Sequence, residues 1–379
     1  MDGTADILVI GAGIAGASAA WALSVNAEVV LLETEDQPGY HTTGRSAALF
    51  TETYGNAVIR RLTSAGRGFF KDPPEGFGDH PLLTPRGALF LARPDQITAL
   101  DAAEAEVRAT APPGVAPVER LGSDEVVRAN GAIRPGYAAG GLLEPAAEDI
   151  DVHALHTGFL RGLRARGSRV VTGAKVQALT RAVGIWTAET KAGDFAARVV
   201  VNAAGAWCDE VAALAGATPV GLVPKRRTAF TFDPPDGLDP GGWPATIDVD
   251  EQFFFRPDAG RIMGSPADET PSPPCDAQPD EMDLALGAHR IEQATVLQVR
   301  RLVTKWAGLR CFVADKTPVV GFDDAAEGFF WLAGQGGYGI QTSPALGRAA
   351  AALITEGDLP GDLAARGLEK SMLAPERLR

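Results

Sequence analysis

The sequence predicts an α/β protein of two domains, one built around a buried parallel sheet and the other rich in strands. Three observations carry this. Ile7-Leu8-Val9-Ile10 runs into Gly11-Ala-Gly13-Ile-Ala-Gly16 and then ASAAWAL, after which a second apolar run, EVVLL, closes at Glu33. Two later apolar runs, 199–201 and 330–333, also end in glycine-rich or small-residue segments. Between them lie strand-patterned stretches at 81–92, 137–143 and 219–263. Continuous apolar runs of this kind suit strands covered on both faces, as parallel strands are. At 379 residues the chain is long enough for two domains and a sizeable core.

Each element of the first unit has a physical task. Gly11 permits a tight turn. Gly13 lets backbone approach a pyrophosphate at a helix N-terminus, where free N–H groups and the helix dipole favour anions. Gly16 lets helix and strand pack closely, and Glu33 stands twenty residues after Gly13, where a carboxylate binds ribose hydroxyls. An acid there repels a 2′-phosphate and disfavours NADP. The unit reads as Rossmann-like.

That fingerprint alone does not choose between FAD and NAD. The strand at 199–201 continues as Asn202-Ala203-Ala204-Gly205-Ala206-Trp207, which offers a second close backbone approach. Near the other end of the chain, Gly334-Gln-Gly336-Gly337-Tyr338-Gly339-Ile340-Gln341-Thr342 precedes a helix-patterned segment at 344–355. A second glycine-rich helix start implies a long ligand, and its dipole suits negative charge on a reduced isoalloxazine. Together the three sites favour FAD. No second GxGxxG follows a strand, so a separate NAD domain is not expected.

Composition sets the remaining bounds. The chain is 45% hydrophobic and 22% charged, as an ordinary soluble globular protein is. Its net charge of -13 argues against nucleic acid, and Lys225-Arg226-Arg227 is too short a run to reverse that. Cys208, Cys275 and Cys311 are an odd number with no CxxC spacing, so neither a disulfide framework nor a metal site is expected, and a reducing cytoplasm fits. The apolar stretch 7–23 is interrupted by glycines, and Asp2 and Asp6 stand where a signal peptide needs positive charge, so no integral membrane segment is expected.

The sequence also resembles the glycine/D-amino-acid oxidase (DAO) family of flavoproteins. The matching pieces are DILVIGAGIAGAS, GYHTTGRSAALFTETYG, VVNAAGAWCDE, PKRRTAF, WAGLRCFVADKTPVVG and GQGGYGIQTSPALG, which run through essentially the whole chain. Within the family it looks most like bacterial D-amino-acid dehydrogenases of the D-arginine dehydrogenase type. The resemblance implies a glutathione-reductase-type fold with a discontinuous FAD-binding domain (1–80, 145–215 and 305–379) and a mixed-sheet substrate domain (81–144 and 216–304). Pro-rich 233–242 and 270–280 read as loops or lids, and 280–301 reads as helical.

Oxidising an amino acid at its α-carbon needs a clamped carboxylate, a neutral amine and an α-hydrogen facing flavin N5. The planar fork of arginine suits the clamp. Arg310 in WAGLRCF is the first choice and Arg227 in KRRTAF the second; each sits beside apolar residues, and the resemblance gives both to the substrate carboxylate. The resemblance also lays Tyr54 over the substrate, offers the Gly337 carbonyl to the amine, and places Phe254 where relatives have a tyrosine. No His or carboxylate base is required, so His41 and His80 read as structural or surface residues. Cys311 reads as a buried apolar thiol, so FAD is expected to be bound non-covalently.

The loop from Thr42 through Arg45, Ser46, Ala47 and Ala48 reads as a cofactor-contacting segment leading into a helix, with Arg45 offsetting pyrophosphate charge. Ile14, Ala15, Thr34, Val176 and Arg310 complete the expected cofactor set with the glycine-rich segments already named. The expected substrate pocket is Leu49, Phe50, Thr51, Ala88, Phe254 and Gln341.

Two departures bear on substrate. The D-arginine dehydrogenase pattern has His where this chain has Leu49, and Glu where it has Ala88. A buried guanidinium without a partner is heavily penalised. The pocket is therefore expected to prefer an uncharged, apolar D-amino acid. Hydride transfer to N5 then leaves an imine that hydrolyses to a keto acid. The alternatives are an N-substituted glycine, split to glyoxylate and an amine, and a 2-hydroxy acid. An NAD-linked enzyme and a non-enzymatic nucleotide binder are more distant readings. The electron acceptor is expected to be O2 or a quinone.

Overall fold

The computed structural model describes residues 3–379; Met1 and Asp2, part of the 1–80 segment and of the leader reading, lie outside the described residues. Ile7–Ile10 runs parallel between Val29–Leu32 and Val199–Asn202. Arg169–Val171 and Phe329–Ala333 extend the sheet on either side, and Val319–Phe322 closes it as an antiparallel edge. Strand alternation divides the apolar side chains between two cores. Ile7, Val9, Val29 and Leu31 pack under the helices Ile14–Leu23 and Gly339–Thr355. Leu8, Ile10, Val30 and Leu32 face a three-stranded antiparallel meander, Val176–Ala182, Ile185–Thr190 and Gly193–Ala197.

Glycines set the depth of this packing. A β-carbon on Gly16 would run into the Gly11 carbonyl, and one on Gly347 would lie 2.7 Å from the Ser18 carbonyl oxygen of the neighbouring helix. The C-terminal helix begins at Gly339, five residues before the sequence pattern at 344–355 suggests. Pro344 lies inside it; Ser343 Oγ donates to the Ile340 carbonyl at 2.9 Å, supplying the bond that proline cannot.

The second large sheet has nine strands and is largely antiparallel. Towards one end of it Val223–Phe232 pairs with Thr304–Phe312 from Val223 to Thr231, with Arg227 opposite Gly308 and Lys225 opposite Arg310. The segment assigned to the cofactor domain from residue 305 therefore begins as a strand of this second sheet and enters the parallel sheet only at Val319. Ala88–Ala92 joins Gly140–Glu144 antiparallel and Ala245–Asp248 parallel, which makes the sheet mixed. Ala245–Asp248 in turn pairs with Phe254–Asp258. A small sheet of Leu49–Phe50, Glu148–Ile150 and Leu83–Pro85 bridges the two halves.

The helix expected over 280–301 ends at Ala294, after which Leu297 is buried in irregular chain. The proline-rich segment at 270–280 starts with a two-residue edge strand, Thr270–Pro271, against Lys225 and Arg226. After Thr42 the chain forms only one short turn, Thr43–Arg45, before Leu49–Phe50; the helix that follows is Ala57–Lys71. No helix among the described residues is long and apolar enough to cross a membrane.

Candidate active site

A cavity, open at its mouth, extends from the start of helix Ile14–Leu23 to the nine-stranded sheet. Its first end is made of backbone. Gly13, Ile14 and Ala15 line it together with Ala203 and Gly205 and with Gly336, Gly337, Gly339 and Ile340. Neither helix has a side-chain cap from its own N-cap residue or an acid in its first turn. Thr43 Oγ1 takes the Ile14 N–H from a distant loop, at 2.9 Å. Gly11 has φ +100°, and a β-carbon there would strike the Ala203 carbonyl. Glu33 is buried, and its carboxylate accepts the Ala12 N–H at 2.9 Å and the Glu35 N–H at 3.0 Å. His156 Nε2 lies 2.8 Å from the Ala12 carbonyl and secures the same turn from behind.

The second end is made of side chains. Arg310 and Arg227 stand on adjacent strands and both line the cavity. Arg310 Nη2 donates to the Tyr54 hydroxyl at 3.3 Å, and that hydroxyl donates to Glu251 Oε1 at 3.2 Å. Arg227 Nε donates to the Asp268 carbonyl at 2.8 Å, and its Nη2 lies 3.6 Å from Glu251 and 3.5 Å from Glu269. Burial, aided by the neighbouring charge of Arg310, holds the Arg227 guanidinium below its usual pKa. Burial acts on Arg310 in the same direction, but the Tyr54 oxygen and Glu251 outweigh it, and its pKa lies above the usual value. Gly337 makes room for this group: a β-carbon there would fall inside the Arg310 guanidinium.

One wall is apolar. Phe90, Ile247 and Phe254 are cross-strand neighbours in register and form a continuous row with Ala229 and Leu49 nearby. Thr51 and Gln341 also line the cavity, and Gln341 Nε2 ties helix Gly339–Thr355 to Thr63 Oγ1 at 2.9 Å. Cys311 lines it too. Burial pushes its thiol up to about 12, so it is protonated at neutral pH.

Several expected contacts stand elsewhere. Phe50 is fully buried on the opposite side of its strand from Leu49 and Thr51, with its ring 5.1 Å from that of Phe70. Ala88 is buried between Glu144 and Ala245; Phe90, two residues along the same strand, reaches the cavity instead. Val176 belongs to the meander core, Trp207 packs on His41, and Thr34 is exposed on the turn after Glu33. Tyr338 lies behind Tyr54, ring to ring at 5.0 Å, and Thr342 Oγ1 bonds the Tyr338 carbonyl. Gly11, Gly16 and Ala204 lie behind the lining residues. Thr42, Arg45, Ser46, Ala47 and Ala48 do line the cavity, but the Arg45 guanidinium is engaged by Asp276 and by the carbonyls of Ala277 and Ala307.

The lining also includes residues outside the expected site, among them Glu251, Trp306, Gln335, Phe90, Ile247 and Ala267. Thr43 lies within the loop expected to contact the cofactor, and Gln335 stands beside Gly336 of the glycine-rich segment, so adjacency is an available signal for it. Trp306 Nε1 donates to the Arg45 carbonyl at 3.0 Å. Glu251 gives no local signal, because it lies on a turn brought to Tyr54 by the tertiary fold.

The walls fit a long anionic dinucleotide. Two helix starts and three glycine-lined strand ends give backbone approach along one side. Thr51 Oγ1 and Gln335 Nε2, both on lining residues, are buried without a protein partner, as groups reserved for a ligand are. Among the described residues no cluster of His, Cys, Asp or Glu has the arrangement of a metal site.

Comparison with known proteins agrees. A family model described as DAO, FAD dependent oxidoreductase, matches residues 6–353. FAD-dependent oxidoreductase domain-containing protein 1 of Xenopus laevis is 35% identical over 179 residues, which is 42% of this chain and 35% of that protein. L-proline dehydrogenase from P. horikoshii superposes with a TM-score of 0.83 at 21% identity, covering 99% of this chain and 98% of that one. Glycine oxidase from Geobacillus kaustophilus superposes with a TM-score of 0.80 at 20% identity, covering 93% and 95%. The match over nearly the whole length, on a chain with this doubly glycine-lined cavity, makes the protein a member of the DAO family: an FAD-dependent oxidoreductase.

Proposed function

We propose that the enzyme oxidises the α-carbon–nitrogen bond of an amino acid with an uncharged, apolar side chain, in the D configuration. The arginine pair carries this reading: Arg310 and Arg227 face one cavity from adjacent strands, beside the apolar row Phe90, Ile247 and Phe254. Two forks side by side suit one carboxylate. An apolar wall suits an aliphatic substituent and offers a cationic one no partner along the row. The solved structures that superpose include enzymes named for proline and glycine, which supports an amino-acid substrate. The D configuration rests on the motif resemblance.

In this reading Arg310 and Arg227 hold the carboxylate, Tyr54 closes over it, and the Gly337 carbonyl receives the amine. Gly13, Ile14, Ala15, Ala203, Gly336 and Gly339 hold the cofactor by backbone. FAD, when bound, supplies the hydride acceptor. No histidine lines the cavity among the described residues, and this reading takes the amine as neutral on entry. This reading takes FAD as bound non-covalently, with the Cys311 thiol buried and protonated; acid precipitation is expected to leave the flavin in the supernatant.

The same apolar wall receives the substituent of an N-substituted glycine, which is the second reading. Anaerobic mixing with D-Met, D-Leu, D-Arg, N-alkyl glycines and 2-hydroxy acids, followed by flavin bleaching, separates the classes. D-Met and D-Leu are expected to bleach fastest. Bleaching by D-Arg alone would overturn the apolar pocket. N-alkyl glycines acting fastest would establish the second reading, and 2-hydroxy acids acting fastest would move the chemistry from C–N to C–O.

A further inference from the structure

The cavity contains a carboxylate of its own. Glu251 lines it from the turn between strands Ala245–Asp248 and Phe254–Asp258, with φ at +53°, a conformation uncommon for a residue with a side chain. The base of the turn is fixed. Buried Asp248 accepts the N–H groups of Asp250 and Gln252 at 3.0 and 3.3 Å, the Gln96 amide at 3.0 Å and Arg93 Nη1 at 3.1 Å. From this anchored frame Glu251 reaches two groups, the Tyr54 hydroxyl at 3.2 Å and Arg227 Nη2 at 3.6 Å. Both belong to the set that the proposed function gives to the substrate's carboxylate.

A second acid nearby is held differently. Glu269 is bound by Lys225 at 2.8 Å, lies 3.5 Å from Arg227 and 3.9 Å from Arg310, and does not line the cavity. It is a fixed counter-charge. Among the described residues Glu251 pairs with no lysine and makes only the two long contacts, and 38% of its side chain stays exposed. An acid held this loosely at a cation is displaced by another acid at modest cost.

We propose that Glu251 is a resident competitor: its carboxylate takes the place of the substrate's carboxylate on Arg227 and Tyr54 and must be displaced when substrate binds, so it sets the affinity threshold for acids entering the site. This rests on the clamp reading above. It makes Glu251 a specificity-determining residue. Simple anions, which gain only the arginine contacts, lose most from the competition, whereas a ligand that also places an amine at Gly337 gains enough to displace it.

The test uses FAD-loaded protein and benzoate, an acid without an amine, with binding read by calorimetry and by perturbation of the flavin spectrum. Glu251→Gln removes the charge, and Glu251→Gly removes the side chain at a φ that glycine accepts, so one of the two is available if the other folds poorly. Both are expected to bind benzoate roughly three- to tenfold more tightly than the unsubstituted enzyme. In turnover the gain is expected in KM more than in kcat, a split that a merely structural role would not give. Unchanged or weaker benzoate binding in both variants would overturn the proposal while leaving the clamp standing. Arg310→Ala binding benzoate as tightly as the unsubstituted enzyme, or benzoate binding to none of these proteins, would remove the clamp itself and the proposal with it.

Discussion

The two ends of the cavity are built from opposite materials. The glycine-lined end offers almost no side chains: its shape is backbone, fixed by approaches so close that a single methyl group collides with a neighbouring carbonyl at Gly11 or Gly16. The arginine end is almost wholly side chain, displayed on a flat antiparallel pair where Arg227 lies opposite Gly308 and Arg310 opposite Lys225. One end recognises a ligand through geometry set by the whole fold, the other through a few exchangeable groups. Damage at the first is therefore expected to appear as cofactor loss, and damage at the second as substrate loss.

Arg310→Ala gives the largest separation. Removing one member of a buried charged pair costs about 2–5 kcal/mol, so kcat/KM is expected to fall roughly thirtyfold or more with flavin content unchanged. Absorbance at fixed protein concentration, with steady-state kinetics, checks both halves. FAD loss in proportion to activity would mean that the two ends are one unit.

The converse substitution is Gly16→Ala. Its β-carbon has nowhere to go between Gly11 and Ala203, and overpacking of this sort costs about 1–3 kcal/mol. Purified protein is expected to carry several-fold less flavin, and KM measured with excess added FAD is expected to stay near the unsubstituted value. A shifted KM would break the comparison from the other side.

The smallest effect concerns pH. Burial lowers the pKa of His156, while its bond to the Ala12 carbonyl acts the opposite way and only partly offsets it. The folded protein thus prefers the neutral ring, and the unfolded chain takes up the proton first. Stability is complete above the unfolded value of about 6.5 and declines as pH falls below it. Thermal stability is therefore expected to fall as pH is lowered from about 7.5 to about 5.5. His156→Asn, whose amide offers a similar bond without titrating, is expected to lose its share of that pH step in thermal melts of FAD-loaded protein.

The glycine end was far more legible in the sequence than the arginine end. Strand, turn, helix and acid are contiguous, so GAGIAG and Glu33 announce their geometry locally, and Ile7–Ile10 forms where the apolar run lies. The arginine end is assembled from residues far apart in the chain. Phe50 was expected in the pocket because its neighbours are there, yet strand alternation turns it into the core beside Phe70. Ala88 marks the right strand and face but lies two residues short of the cavity, where Phe90 stands. Arg45 has the right position, but its charge is taken by Asp276 from a loop more than two hundred residues away. Glu251 could not be read at all, since neither its type nor its neighbours distinguish it from a solvated turn acid.

The row Phe90, Ile247 and Phe254 belongs to the nine-stranded sheet and not to the parallel one. A lineage can therefore exchange these side chains one codon at a time, widening, narrowing or recolouring the wall, while the inherited cofactor seat passes down untouched. Divergence within such a family would accumulate along this row before it touched the glycines, and a library confined to these three codons would be an economical route to altered substrate range.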